Sequence, residues 1–156
     1  MIKEIQITED MRQAADRKAF MLGELNNSIM RSGGSQSGYL GEMIVVSVLW
    51  GKLANTFDYD VVLDDGTKVD VKTKRTSSPP RPYYSCSVAK FNTKQECDEY
   101  AFVRIKYDLK VGWYLGRIPK ANFYDLATHH KKGEHDPDNG FIFRADCCNL
   151  PISSLA

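Results

Sequence analysis

The chain has 156 residues, of which 42% are hydrophobic and 26% charged, and this balance predicts a single globular domain with a sizeable core. No apolar run approaches the roughly 20 residues of a membrane-spanning helix, and the N-terminus lacks the apolar segment of a secretory signal peptide. The net charge is only +1, which argues against a uniformly basic protein that coats a polyanion.

Residues 8–31 are predicted to form a long N-terminal helix. Thr8 is placed to cap it, and the two acids that follow suit a first turn, where the helix dipole favours negative charge. Apolar side chains recur at helical spacing, interrupted by Lys18, and the Ser/Gly run at 32–35 is expected to end the helix. Such a stripe is typical of a core-facing surface, or of a surface through which two copies form a homodimer.

A second helix is predicted over residues 38–53. Its centre, residues 43–50, is apolar nearly all round, which indicates burial on several sides. Glu42 stands where this apolar stretch begins. An unpaired carboxylate in a buried helix is costly, so Glu42 either has a partner or is a helix-start glutamate stabilised by the dipole.

Residues 60–74 have the pattern of a β-hairpin. Two runs rich in valine flank Asp64-Asp65-Gly66, which suits a three-residue loop that ends in a left-handed glycine. In that register Asp60 lies directly opposite Asp70, whereas a two-residue loop would put the two acids on opposite faces. The other face of the hairpin is apolar and is predicted to be buried; it carries Tyr59, Val61, Leu63, Val69 and Val71.

Two facing carboxylates are destabilising unless something neutralises their repulsion. With Lys72 two residues beyond Asp70, the hairpin therefore suggests a divalent metal held between Asp60 and Asp70. The other interpretation is a solvated hairpin face with ordinary surface charges, and this stretch alone leaves both open.

The rest of the chain is predicted to alternate strands with short helical segments. In order, the pattern predicts a proline-rich loop over 76–82, a strand over 83–89, a helical turn over 92–96, strands over 99–106 and 111–118, a helix over 119–126 and a last strand near 141–144.

Positive charge is concentrated around the hairpin. The window 68–94 contains seven basic side chains and one acid, so it carries +6 while the remainder carries −5. A local basic patch of this kind is compatible with contacts to a phosphate backbone. A solvated basic loop is the other interpretation.

Two further clusters are predicted to be structural. Residues 129–139 hold three histidines and two aspartates, but their spacing matches neither a helical metal pair nor a calcium loop, which indicates a polar turn. The four cysteines include no CxxC pair and are expected to be reduced thiols of an intracellular, cytoplasmic protein. A nucleophilic Cys147 or Cys148 with His129 or His130 as its base is the alternative chemistry.

Glu42 on a helix, Asp60 and then Asp70-Val71-Lys72 on a hairpin together resemble the signature of the PD-(D/E)xK, or restriction-endonuclease-like, nuclease superfamily. The resemblance covers about residues 38–106. This chain has Tyr59 where the family often has proline, and an aspartate at position 70 where glutamate is commoner. Because Asp58 shares a face with Asp60, which of them matches the family's first aspartate is left open.

The resemblance implies an α/β (α+β) fold with a restriction-endonuclease-like core, in which helices flank a central mixed β-sheet. One nuclease-like domain would then span residues 1–156, with an extra long N-terminal helix at about 8–31, the core at about 38–118 and a C-terminal helix and strand at about 119–150.

The resemblance also implies a Mg²⁺ site in which Mn²⁺ can substitute. Asp60, Asp70, Glu42 and the backbone carbonyl of Val71 would hold the metal, and Lys72 would complete the catalytic set. We expect phosphates to be contacted by four basic residues of the window, namely Lys74, Arg75, Arg81 and Lys90.

The activity implied is hydrolysis of nucleic-acid phosphodiesters, with DNA as the expected partner and endonucleolytic, structure-selective (resolvase-like) cleavage as one form of it. A small nuclease from a phage or mobile element, acting in a bacterial or phage-infected cell, is equally compatible. The alternatives are a catalytically silent nucleic-acid-binding module that retains the fold, and an unrelated globular protein with fortuitous charges.

Overall fold

The computed structural model describes residues 1–26, 32–54, 56, 58–90, 94–137 and 140–156. Within them the fold is α+β: a six-stranded mixed sheet, a separate three-stranded sheet and three α-helices. In chain order the elements are β1 (Lys3–Gln6), α1 (Glu9–Asn26), α2 (Ser32–Leu49), β2 (Lys52–Leu53), β3 (Val61–Val62), β4 (Lys68–Thr76), β5 (Ser85–Ala89), β6 (Glu99–Lys106), β7 (Val111–Pro119), α3 (Lys120–Leu126), β8 (Thr128–His130), β9 (Cys147–Pro151) and a 3-10 turn (Ile152–Ser154).

The central sheet has the strand order β1-β7-β6-β4-β3-β2, and only the β4–β6 pair is parallel. Strand β6 lies in the interior of the sheet, and all of its residues between Glu99 and Lys106 are buried. A strand covered on both faces requires a largely apolar run, which residues 100–105 supply except at Arg104. The predicted central mixed sheet is thereby confirmed.

Hydrophobic clusters cover both faces of this sheet. On one face α2 packs on the sheet through Leu40, Ile44 and Val45, which are completely buried, and α1 packs against α2. On the other face Tyr100, Phe102 and neighbouring side chains pack against α3 and the three-stranded sheet. Because strand side chains alternate between faces, β6 and β7 contribute to both clusters, whereas β4 contributes Val69 and Val71 to the first one.

The helix boundaries differ from the predicted ones. Thr8 caps α1 as expected, its Oγ1 accepting from the Met11 N–H at 3.2 Å, while the predicted end of this helix at 27–31 lies outside the described residues. The run at 32–35, predicted to end the first helix, instead begins α2. Backbone N–H groups in a first turn make no intrahelical bonds, so poor helix formers cost less there.

The second helix also ends earlier than predicted, at Leu49 instead of residue 53. Trp50 adopts a φ of 60°, and the Gly51 N–H donates to the Val46 carbonyl at 3.3 Å. A left-handed residue with such a back-bond closes a helix. The chain then turns directly into the short strand β2.

The hairpin has the predicted three-residue loop. Val61 pairs with Val69, the Leu63 N–H donates to the Thr67 carbonyl at 2.9 Å, and Gly66 has a φ of 88°. On the apolar face Val61, Leu63 and Val69 are buried in the cluster under α2, and Val71 packs against that cluster. Tyr59, predicted to be buried with them, is half-buried outside the cluster, and the centre of its ring lies 5.4 Å from Lys68 Nζ. The register prediction is therefore confirmed.

The C-terminal half departs most from the predictions. Strand β5, which the resemblance counts within the core, pairs with β9 in the three-stranded sheet of order β5-β9-β8. Residues 141–144 contribute only an isolated bridge between His135 and Ile142, so the strand predicted there is wrong. Helix α3 follows Pro119, which caps it, one residue later than predicted.

Two sequence predictions concern surfaces of the fold. No helix in the described ranges combines the length and apolar character needed to cross a bilayer. On α1, Phe20 and Met21 are 65% and 61% exposed. Dimerisation through this helix stays a prediction.

Gly41→Ala is expected to destabilise the protein by roughly 1–3 kcal/mol, the usual cost of overpacking. The reason is that α2 lies close to β4 here: a Cβ built on Gly41 would overlap Thr73 Oγ1 and lie 3.1 Å from Thr73 Cβ. Gly38 has no atom within 4 Å of its Cβ position, so Gly38→Ala is the matched control and should stabilise by about 0.5–1 kcal/mol. Urea unfolding of both variants measures the difference, and a Thr73→Ala background should relieve the Gly41→Ala penalty. Equal behaviour of the two alanine variants would contradict the close packing.

Candidate active site

Four residues singled out from the sequence come together at one edge of the central sheet. Glu42 comes from α2, Asp60 from the bend before β3, and Asp70 and Lys72 from β4. The Asp60 carboxyl is within hydrogen-bonding reach of the carboxyls of both Glu42 and Asp70. The three acids therefore form one contiguous group, here called the acid cluster.

Asp60 reaches both neighbours because it lies outside the strand. In the hairpin register the Val71 N–H would pair with the Tyr59 carbonyl, but that carbonyl accepts from Thr56 Oγ1 at 2.8 Å. The Val71 N–H donates instead to Asp60 Oδ2 at 2.8 Å. The side chain of Asp60 thus takes the place of a backbone acceptor at the point where the ladder between β3 and β4 ends.

Asp58, the other candidate for the first acid, has a different contact. Its Oδ1 accepts from the Glu96 N–H at 3.2 Å and so ties the chain before β6 to the hairpin. Asp60 and Asp70 were predicted to be a directly opposed strand pair, and this is wrong, because the ladder between β3 and β4 ends at Val61. The two residues approach each other through their side chains instead.

Lys72 points into the same site. Its Nζ lies 2.7 Å from Asp70 Oδ2, donates to Gln95 Oε1 at 3.2 Å and sits 5.6 Å from the centre of the Tyr100 ring. Gln95 Nε2 in turn donates to Asp70 Oδ1 at 3.4 Å, and Lys120 Nζ donates to the Gln95 carbonyl. Gln95 therefore bridges the side chains of Lys72 and Asp70 by hydrogen bonds to both. Nothing in the sequence signalled this residue, because it lies more than 20 positions along the chain from both partners.

Lys18 of α1 is the second contact that sequence reasoning missed. Its Nζ lies 3.1 Å from Glu42 Oε2 and 4.5 Å from the centre of the Tyr39 ring. The side chains of Lys18 and Glu42 are only 17% and 12% exposed. In the sequence, Lys18 is visible only as a lysine that interrupts the apolar stripe of α1. In the structure it is the ion-pair partner of the buried Glu42.

The acid cluster holds protons more tightly than ordinary carboxyls do. Burial, and then the charge of the neighbouring Glu42, raise the pKa of Asp60 to about 6. Burial likewise raises the pKa of Asp70 to about 6, against the opposing effect of Lys72. The pKa of Glu42 is also raised, mainly by burial. The predicted upward shift is confirmed, although burial contributes more to it than repulsion between the acids.

The donor set fits a hard divalent cation. It consists of carboxyl oxygens, and Asp70 Oδ2 is buried without a hydrogen-bond donor, since the contact with Lys72 is an ion pair of poor hydrogen-bond geometry. Across the described ranges, no three side chains of the His, Cys, Asp and Glu types are disposed to hold an ion as they stand. The acids contact one another, as carboxyls that share protons do, so a cation would have to displace those protons. A role for the Val71 carbonyl stays a prediction.

The four predicted phosphate contacts point in different directions. Lys74 shares the face of β4 with Lys72 and lines a cavity beside it. Arg75 faces the other way, with its guanidinium 5.0 Å from the centre of the Tyr107 ring. Arg81 and Lys90 are exposed in the segments that flank β5. Of the four, only Lys74 lines the cavity that Lys72 also lines.

The alternative cysteine chemistry finds little support. Cys148 Sγ lies 3.3 Å from His129 Nδ1, a pairing the sequence could not place, because β8 and β9 are adjacent. Cys148 is fully buried, and burial raises the pKa of its thiol. A buried, protonated thiol is a poor nucleophile. All four cysteines are free of disulfide bonds, as predicted.

Comparison with protein-family models and with curated proteins found no match. The resemblance to PD-(D/E)xK nucleases rests on Glu42, Asp60, Asp70 and Lys72 alone. What the fold adds is the mixed sheet and the shared location of these residues.

Proposed function

We propose that this protein is a Mg²⁺-dependent nuclease of the PD-(D/E)xK type that hydrolyses nucleic-acid phosphodiesters, with DNA as its substrate and endonucleolytic cleavage as its activity. The observation that carries the proposal is the acid cluster with Lys72 Nζ at 2.7 Å from Asp70 Oδ2. Grouping buried acids costs folding free energy, and such costs are typical of functional sites. Because the acids belong to separate elements, their convergence is a property of the fold.

In this proposal Asp60, Asp70 and Glu42 hold the metal through carboxylate oxygens. When bound, Mg²⁺ supplies Lewis-acid stabilisation of the phosphate and lowers the pKa of a coordinated water. The Val71 N–H and Gln95 Nε2 orient Asp60 and Asp70 by donating to them at 2.8 and 3.4 Å. These donors favour the ionised carboxylates that a cation requires.

Lys72 is the residue placed to act on the reacting phosphate. Its ammonium is held by Asp70 and Gln95 beside the acid cluster, with one side toward the neighbouring cavity. A fixed ammonium in a partly buried site stabilises negative charge that develops on a phosphate oxygen, or orients the attacking water.

Lys18 has a supporting role in this proposal. It neutralises Glu42 in the metal-free protein and so lowers the cost of burying that carboxylate. If a cation were bound, Glu42 would be one of the residues that hold it, and Lys18 would lie next to that carboxylate. The N-terminal helix is thus part of the site.

Incubation with plasmid, linear, branched and single-stranded DNA, and with RNA, tests the proposal. Cleavage is expected with Mg²⁺ or Mn²⁺ and none in excess EDTA, and an endonuclease should nick or linearise a covalently closed plasmid. A protein that binds these substrates but cleaves none of them in Mg²⁺ would instead be the silent binding module. Cleavage that persists in EDTA would contradict the metal-dependent mechanism.

A further inference from the structure

A cavity of about 1050 Å³ opens beside the proposed active site. Its floor is the face of β4 and β6 that carries Lys72 and Lys74, and its walls come from the three-stranded sheet and from residues 141–145. It is here called the groove. Lys72 lines the groove, and its Nζ lies 2.7 Å from Oδ2 of Asp70 in the acid cluster, so the groove and the acid cluster are adjacent.

The groove contains a buried positive charge without a negative partner. Arg104 is 6% exposed; its guanidinium donates to the Ser85 carbonyl at 3.1 Å and lies 5.2 Å from the centre of the Tyr84 ring. Among the residues that the structure describes, no carboxylate forms an ion pair with it. A buried charge left unpaired is costly, so this arginine is suited to an anionic ligand.

A second cation stands beside the first. Lys74 pairs with Arg104 across the parallel strands β4 and β6, just as Lys72 pairs with Phe102. Burial, and then the charge of Arg104, lower the pKa of Lys74. Two like charges held side by side are destabilising on their own, and a phosphate between them would satisfy both.

Exposed aromatic rings lie along the same groove. Tyr83 is 73% exposed and Phe141 is 52% exposed, and both line the cavity. Sites that bind single-stranded nucleic acid combine exposed aromatic rings with nearby cations. The bases stack on the rings, and the phosphates bind to the basic side chains. The cavity volume of about 1050 Å³ lies just above the usual range for ligand pockets and has room for a few nucleotides of one strand.

We propose that the groove binds an unpaired stretch of nucleic acid, with a phosphate at Arg104 and Lys74 and bases stacked on Tyr83 and Phe141. The inference rests on the proposed function, because it names the substrate of that same site. The strand runs from Arg104 past Lys74 to Lys72, where its backbone meets the acid cluster. The preferred substrates are therefore single strands, flaps and splayed junctions, whose unpaired arms can enter the groove.

Binding measured without metal tests this inference separately from cleavage. The fluorescence anisotropy of a short labelled oligothymidine, and of the same strand in a duplex, is followed in EDTA. Phe141→Ala is expected to weaken single-strand binding roughly 5- to 150-fold, the equivalent of losing one base–aromatic stack. Lys74→Gln is expected to lower the log–log salt slope by about 0.7, the share of one phosphate contact to a single strand.

Matched controls lie outside the groove. Trp50 is 80% exposed at the end of α2, and Lys110 is exposed in the β6–β7 turn. Trp50→Ala and Lys110→Gln are expected to bind as the parent does. If groove and control variants bind alike, or the duplex binds as tightly as the single strand, the inference is overturned.

Two other results would distinguish this inference from a small-ligand site and from the nuclease proposal. Displacement of the oligonucleotide by a mononucleotide at an equal nucleotide concentration would assign the groove to a small ligand and overturn the inference. The second result is a parent protein that binds the oligonucleotide but cleaves nothing, with binding lost in Phe141→Ala and Lys74→Gln. This result would support the groove and overturn only the nuclease proposal.

Discussion

Asp70→Asn and Lys72→Ala are each expected to reduce cleavage by roughly 10²–10⁴-fold or more while the protein stays folded and still binds nucleic acid. The asparagine removes the charge that both the cation and Lys72 require, and the alanine removes the ammonium next to Asp70 Oδ2. Initial rates of plasmid nicking in Mg²⁺ measure the loss. Circular dichroism and anisotropy in EDTA check folding and binding.

The hairpin offers matched controls for both changes. Asp64 is an exposed acid of the hairpin loop, and Lys68 is an exposed lysine of β4, the strand that carries Asp70 and Lys72. Asp64→Asn and Lys68→Ala are expected to cleave at the parent rate. Parent-level activity in Asp70→Asn or Lys72→Ala would remove these residues from the mechanism, whatever the controls show.

The metal-free protein is expected to lose stability as the pH rises from about 4 to about 6. The folded protein keeps protons on Asp60 and Asp70 up to a pKa of about 6, whereas a free aspartate releases its proton near 3.8. In that interval the folded state binds more protons than the unfolded state, so the free energy of unfolding falls with rising pH and then levels off.

Asp60→Asn isolates this effect, because asparagine can still accept from the Val71 N–H. At pH 8 the variant is expected to be more stable than the parent by on the order of 1–3 kcal/mol, and near pH 4 the two should agree. Thermal melts in EDTA across this range measure the difference. Mg²⁺ at pH 8 should then raise the Tm of the parent more than that of the variant. A variant less stable than the parent at pH 8 would contradict the elevated pKa.

The hairpin could be predicted from the sequence because its determinants are local. The valine alternation and the Asp64-Asp65-Gly66 loop fix the register, and the register brings Asp60 near Asp70. Glu42 joined them only through the family pattern. Lys18 and Gln95 could not be placed, because their contacts depend on how α1 packs on α2 and how the chain returns before β6.

The three-stranded sheet was missed for a similar reason. Its strands are short, and β5 finds its partner about 60 residues later in the chain. The aromatic run near Phe141 was predicted to be a strand on hydrophobicity, yet Phe141 and Ile142 are 52% and 54% exposed. In the proposed groove the exposed ring of Phe141 belongs to a binding surface, which periodicity cannot distinguish from a core strand.

The position of β9 at the centre of the three-stranded sheet has a consequence for the order of folding. Strands β5 and β8 each pair with β9 and not with one another, so neither has a partner until residues 147–151 have emerged from the ribosome. The hairpin that carries Asp60 and Asp70 closes over only three loop residues and can form much earlier, since short loops cost less entropy. We therefore expect the nascent chain to assemble its acids first and the wall of the groove last.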